Sequence, residues 1–209
     1  MYPHYPWTLT GIGPGDHLCA IYETEEEYRS VLTPFVRRAL SMGEKVIYVA
    51  HTRNVETVLG NLAADGVFLG DYLFQGQLQL IPSDMLYTRG GTFDPDRVIT
   101  QIQSELKLAL AQGYSALCYT SEMSWAAAHP ADIERMIAYE QRLNTVLAGT
   151  RALALCLYHR VDFTQATLLP ILRAHPIAII GRVGFDKYAP VAALPPARHA
   201  PSPTVAASA

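Results

Sequence analysis

Short apolar runs rich in β-branched and aromatic residues recur at 17–22, 45–50, 78–81, 116–120, 153–158 and 177–180. Between them, apolar residues return every three or four positions over 25–41, 55–65, 94–112, 130–147 and 162–174. Strands alternating with amphipathic helices predict a mostly parallel sheet, because parallel neighbours need a crossover that carries the chain back to the same edge. Runs such as "ALALCLY" and "KVIYVA" are almost continuously apolar. Strands buried on both sides read this way. The expected fold is therefore α/β, with a mostly parallel central sheet flanked by helices on both faces.

Several elements carry end signals. Thr24 can cap the first helix, with Glu27 completing a capping box. Gly43, Gly66 and Gly113 stand where the first, second and third of these helical stretches should stop. One domain is expected over 15–189, preceded by an extension at 1–14. The segment 190–209, "PVAALPPARHAPSPTVAASA", is Pro, Ala and Ser with almost no large apolar side chain. It reads as a disordered tail or linker. No internal repeat and no second domain is visible.

Composition narrows the partners. Half of the 209 residues are hydrophobic and 17% are charged, which describes a chain with a substantial core. A net charge of -3 and a pI near 6.1 supply no basic field for nucleic acid. No run reaches the roughly 18 apolar residues of a membrane span. The start MYPHYPWTLT lacks a secretory pattern, so the expected location is cytoplasmic. Cys19, Cys118 and Cys156 each lie in an apolar run without C-x-x-C spacing. They are expected as buried core thiols, drawn near one another where the strands align.

In an open parallel sheet, ligands bind beyond the carboxyl ends of the strands. Those ends carry Tyr22, Glu23 and Thr24; His51, Thr52, Arg53 and Asn54; Ser121, Glu122, Met123, Ser124 and Trp125; and Tyr158, His159, Arg160 and Asp162. This aromatic and polar collection, with both signs of charge, suits a small polar or amphipathic ligand better than a polyphosphate. The candidate ligand-binding residues are Tyr22, Glu23, Thr24, His51, Arg53, Ser121, Glu122, Trp125, Tyr158 and Arg160. Against this stand plainer roles: Glu122 as a cap and Trp125 as a core anchor. His51, His159 and Glu122 are chemically able to hold a metal, but their spacing is too loose to expect one. His175, before Pro176 at the opposite edge, reads as a packing or capping residue. No G-x-S-x-G elbow is present, and Glu122 has no Walker lysine to work with. No catalytic residue is assigned, and no cofactor is named by the residues.

The stretch "GIGPGDHLCAIYETEEEYRSVL" sharpens that reading. A phosphate loop needs glycines after the strand, at the head of the helix, and a lysine for the terminal phosphates. Here Gly11, Gly13 and Gly15 come before the strand, and Glu23, Glu25, Glu26 and Glu27 come after it. Carboxylates suit the positive end of a helix, but they repel a triphosphate placed there.

These residues carry a resemblance. "GDHLCAIYETEEEYRSVLTPFVRRALSMGEKVIYVA", "SEMSWA", "YEQRLN", "CLYHRVDF" and "RAHP", in order from about 15 to 180, are similar to the MEDS family, the methanogen/methylotroph DcmR sensory domain. The resemblance implies a RecA/KaiC-like P-loop-type layout that lacks the phosphate loop. It also implies sensing of small hydrocarbon derivatives, without catalysis, by an input module joined to a helix-turn-helix domain or a histidine kinase. No output domain is recognisable here, so the expected partners are a small-molecule ligand and a separate protein that carries the output. Self-association into a homo-oligomer stays open; neither nucleic acid nor membrane is expected. The rival reading is a degenerate nucleotide-binding protein that retains ATP or ADP through aromatic stacking and Arg53 or Arg160.

Overall fold

The computed structural model describes residues 9 and 11–186. The tail expected at 190–209 and most of the extension expected at 1–14 lie outside the described residues. Seven strands form one sheet: β1 His17–Tyr22, β2 Lys45–Ala50, β3 Leu78–Pro82, β4 Leu117–Glu122, β5 Ala152–His159, β6 Ile177–Ile180 and β7 Val183–Asp186. Their order is β3-β2-β4-β5-β1-β6-β7. All neighbours pair parallel except β6 and β7. The sequence pattern misses β7, a short edge strand interrupted by Gly184.

The connections are helical: α1 Glu25–Ser41, α2 Val55–Ala64, α3 Gly70–Phe74, α4 Ser83–Leu86, α5 Pro95–Ala111, α6 Ile133–Leu147 and α7 Gln165–Ala174. The four- and five-residue helices α4 and α3 are too short to show a periodicity. Two 3-10 turns, Pro130–Asp132 and Arg160–Asp162, take the place of the first residues expected of α6 and α7. Thr24 Oγ1 accepts from the Glu27 N–H at 3.2 Å, completing the expected capping box. Gly43 and Gly113 follow the last residues of α1 and α5 with φ of +70° and +92°. A side chain there meets left-handed strain that glycine avoids.

Side chains alternate across the sheet, and the alternation sorts everything that follows. Leu18, Ala20, Tyr22, Val46, Tyr48, Cys118 and Leu155 pack on one face with α1 and α2. Cys19, Ile21, Ile47, Val49, Tyr119, Cys156 and Tyr158 pack on the other with α5, α6 and α7. Burying each of the large apolar chains contributes about 1.5–3 kcal/mol, so both layers are held firmly. All three cysteines are buried, as expected. Only two come together: Cys19 and Cys156 are register partners on one face, whereas Cys118 belongs to the other. Strand β4 also runs on to Glu122 instead of stopping at residue 120. Ser121 and Glu122 are thereby fixed on opposite faces.

Candidate functional site

The carboxyl ends of β1, β2 and β4 converge on the carboxylate of Glu122, which has no solvent exposure. Its Oε2 accepts from the successive backbone N–H groups of His51, Thr52 and Arg53 at 2.7, 2.6 and 3.2 Å. Its Oε1 accepts from Tyr48 Oη at 2.7 Å and Arg53 Nη1 at 3.2 Å. The loop after β2 thus curls into a nest of donors before Asn54 caps α2 by accepting from the Thr57 N–H at 2.8 Å. Burying a carboxylate is costly in isolation, and five donors, one of them charged, offset that cost here.

Arg53 carries the site outward. Its guanidinium lies 3.8 Å from the centroid of the Tyr28 ring, a cation–π contact strengthened by partial burial. Nη1 donates to Tyr22 Oη at 3.2 Å, while Nε and Nη2 donate to Glu25 Oε2 at 3.2 and 2.6 Å. Glu25 is also held by Asn61 Nδ2 of α2 at 2.7 Å. One cation therefore bridges two anions of different kinds: the Glu122 side chain is 0% exposed and that of Glu25 is 48% exposed. Burial pushes the Tyr22 phenol up to about 12, against the pull of Arg53, so it stays a neutral hydrogen-bonding group.

Tyr22, Glu25, Thr52, Arg53, Thr57, Asn61 and His159 surround a cleft of about 460 Å³. A larger depression of about 560 Å³ opens beside it along α1. Its main acid, Asp65, is already engaged by Arg29, which lowers its pKa, and by Thr33 Oγ1 at 2.6 Å. The smaller cleft is the one the strand ends reach.

The structure divides the residues expected from sequence. Tyr22, Arg53 and Glu122 come together. Glu23 and Thr24 lie at the head of α1, where their backbone N–H groups donate to Glu27 Oε2 at 2.7 and 3.4 Å. His51 gives its N–H to Glu122, and its Nδ1 pairs with Ser83 Oγ at 2.7 Å. Arg160 is exposed in the turn after β5. Ser121, Trp125 and Tyr158 belong to the opposite face. Ser121 Oγ accepts from Tyr87 Oη at 2.8 Å. Trp125 stacks on Tyr87 at 4.7 Å and is 1% exposed. Tyr158 donates to Glu140 Oε1 at 2.7 Å. Sequence reasoning missed Glu25, Tyr28, Tyr48 and Asn61. The signal for Tyr48 is its position one alternation before the end of β2; that for Tyr28 is its placement one helical turn after Glu25.

The arrangement also accounts for what the head of α1 can hold. An anion site at a helix N-terminus is built from free N–H groups. Here Thr24 Oγ1 takes the Glu27 N–H, and Glu27 Oε2 takes those of Glu23 and Thr24. Glu25, Glu26 and Glu27 make the rest of the helix head acidic.

Family and fold are shared with known proteins. The family model of the MEthanogen/methylotroph, DcmR Sensory domain, MEDS, matches residues 16–176. The chain belongs to the MEDS family. No curated protein matches it. Among solved structures, this MEDS chain is similar to flagellar accessory protein FlaH from Methanocaldococcus jannaschii, with TM-score 0.55, 14% identity, and coverage of 81% of this chain and 72% of that one. A KaiC-like protein from Pyrococcus horikoshii OT3 gives 0.56 and 13%, covering 80% and 71%. An uncharacterized Pyrococcus horikoshii protein, in complex with an unknown peptide, gives 0.61 and 14%, covering 81% and 78%. The shared fold is the KaiC/RecA-like one. In this MEDS chain the segment after β1 has neither the glycines nor the lysine of a phosphate loop.

Proposed function

We propose that this MEDS chain is a non-catalytic sensory module that binds a small polar or amphipathic molecule through Arg53 and reports occupancy to a protein partner. The observation that carries the proposal is the position of Arg53 between a buried carboxylate, Glu122, and an exposed one, Glu25. Glu122 fixes the guanidinium. Glu25 is free to give way to a carboxylate, hydroxyl or other acceptor on a ligand, whose apolar part then rests against Tyr22 and His159. Because Asn61 of α2 holds Glu25 of α1, displacing that carboxylate changes how the two helices are tied. A ligand shifts such an equilibrium only by its difference in affinity for the two arrangements. The sensory family of the chain supports this reading, and small hydrocarbon derivatives are the ligand class that the family resemblance offers.

The rival, retention of ATP or ADP, is disfavoured by Glu25, Glu26 and Glu27 at the head of α1. A thermal-shift panel separates the two. MgATP and MgADP are compared with small halogenated, methylated and carboxylated one- and two-carbon compounds, since a ligand of the native state raises the melting temperature. The proposal expects shifts from small compounds that vanish in Arg53→Ala, each protein being measured against its own baseline. Shifts from nucleotide alone, or small-compound shifts that survive Arg53→Ala, would falsify it.

A further inference from the structure

We infer that the opposite face of the sheet holds a closed, four-ligand site for a divalent transition metal, made of His17, Glu140, Cys156 and His175 and suited to zinc. His17 opens β1, Cys156 lies beside it in β5, Glu140 comes from α6 and His175 follows α7. Their exposures are 1, 0, 4 and 2%. One ligand atom from each residue lies within 4.8 Å of all the others.

Four of the six separations match the edges of a tetrahedron, and the other two lie within 4.8 Å. Zinc bonds of about 2.0 Å to nitrogen or oxygen and about 2.3 Å to sulfur imply edges of about 3.3 Å between N and O ligands and about 3.5 Å to sulfur. Glu140 Oε2 is 3.1 Å from His17 Nε2 and 3.4 Å from His175 Nε2. Cys156 Sγ is 3.6 Å from His17 Nε2 and 3.5 Å from Glu140 Oε2.

The surrounding hydrogen bonds turn the ligand atoms inward. His175 Nδ1 lies 2.8 Å from the carbonyl of Ile171, which can only accept, so Nδ1 carries hydrogen. Asn144 Nδ2 donates to the Ala174 carbonyl at 2.6 Å, which directs Asn144 Oδ1 to His17 Nδ1 at 2.9 Å. His17 Nδ1 is then also a donor. Tyr158 occupies Glu140 Oε1 and leaves Oε2 for the centre. Such outer partners fix the tautomer and aim of metal-binding histidines. His175 Nε2 makes no hydrogen bond among the described residues.

With both Nδ1 atoms committed as donors, the centre collects two imidazole nitrogens and a carboxylate oxygen around one thiol. It needs a cation, whether a proton shared between a histidine and Glu140 or a metal. A divalent ion with the Glu140 carboxylate and the Cys156 thiolate sums to zero charge, which is the condition a water-free interior favours. Metal binding then displaces the Cys156 thiol proton, and the shared proton where one is present. Mixed imidazole and thiolate ligands select zinc over magnesium or calcium. Four protein ligands leave no open position, so the metal ties β1 and β5 to α6 and α7 and serves structure. Cys19, the register partner of Cys156, flanks His175 without belonging to the mutually close set.

The test is cobalt(II) and zinc titration of the chelator-stripped full chain. The expected result is one metal per chain, with the absorption of a tetrahedral cobalt–thiolate centre, bleached by zinc. Cys156→Ser should remove the thiolate-to-cobalt band. Asn144→Ala should weaken affinity about 10–100-fold by releasing His17, while Cys118→Ser, on the other face, should leave both properties unchanged. Failure of the unaltered chain to take up either metal at micromolar concentration overturns the inference without reliance on any variant. So does a cobalt spectrum indifferent to Cys156→Ser.

Discussion

Glu122 and Glu140 are both carboxylates with no solvent exposure, placed on opposite faces of the same sheet, and their surroundings differ in kind. Around Glu122 stand three backbone N–H groups, a tyrosine hydroxyl and a guanidinium, all of them donors. Around Glu140 Oε2 stand two imidazole Nε2 atoms and a thiol, groups that hold a cation as readily as a proton. The first cluster is complete as built, and its spare binding capacity lies outward, where Arg53 meets the exposed Glu25. The second is closed to water and asks for a cation at its centre. A buried charge is thus not a single kind of feature. Whether its neighbours donate or accept decides whether the site anchors something at its rim or encloses something within.

The largest expected effect breaks the first cluster. Glu122→Ala strands three backbone N–H groups and removes the buried anion that faces Arg53, and should cost about 3–5 kcal/mol in urea unfolding. A loss under about 1 kcal/mol would mean that the nest relaxes freely, and the contrast with Glu140 would dissolve. Tyr158→Phe sharpens the second cluster by removing one donor from a buried carboxylate. It should cost about 1–3 kcal/mol and leave cleft binding by the small compounds unaltered, because its hydroxyl lies on the other face. A change in cleft affinity would show the faces to be coupled. Thr24→Ala, which removes the cap of α1, is the smallest, at about 1 kcal/mol. It also frees an N–H group at the helix head, so a gain in nucleotide binding there would point to an anion site held shut by the protein's own side chains.

Much of the fold is legible in the sequence. β1 and β2 match their expected bounds because glycine-containing turns set off almost continuous apolar runs. β4 is read short because Ser121 and Glu122 are polar, and only the donors brought by the β2–α2 loop let a carboxylate end a buried strand. The expected site residues mix the two faces for a simpler reason: they share proximity to strand ends, while the two-residue alternation separates Ser121 and Tyr158 from Glu122. The buried quartet was less accessible. His17, Cys156 and His175 each sit in apolar surroundings where packing is the ordinary role. The one local signal is Glu140 in the apolar stripe of Met136, Leu143 and Leu147. The strand order that puts β1 beside β5 brings the four together.

The central claim is that Arg53 anchors a small molecule while the head of α1 refuses a nucleotide. It is tested most directly by calorimetric titration of the unaltered chain and of Arg53→Ala, with MgADP and with the best small compound from the panel. The account predicts saturable binding of the small compound that Arg53→Ala abolishes, and no heat from MgADP at millimolar concentration. Tight MgADP binding indifferent to Arg53 would contradict it.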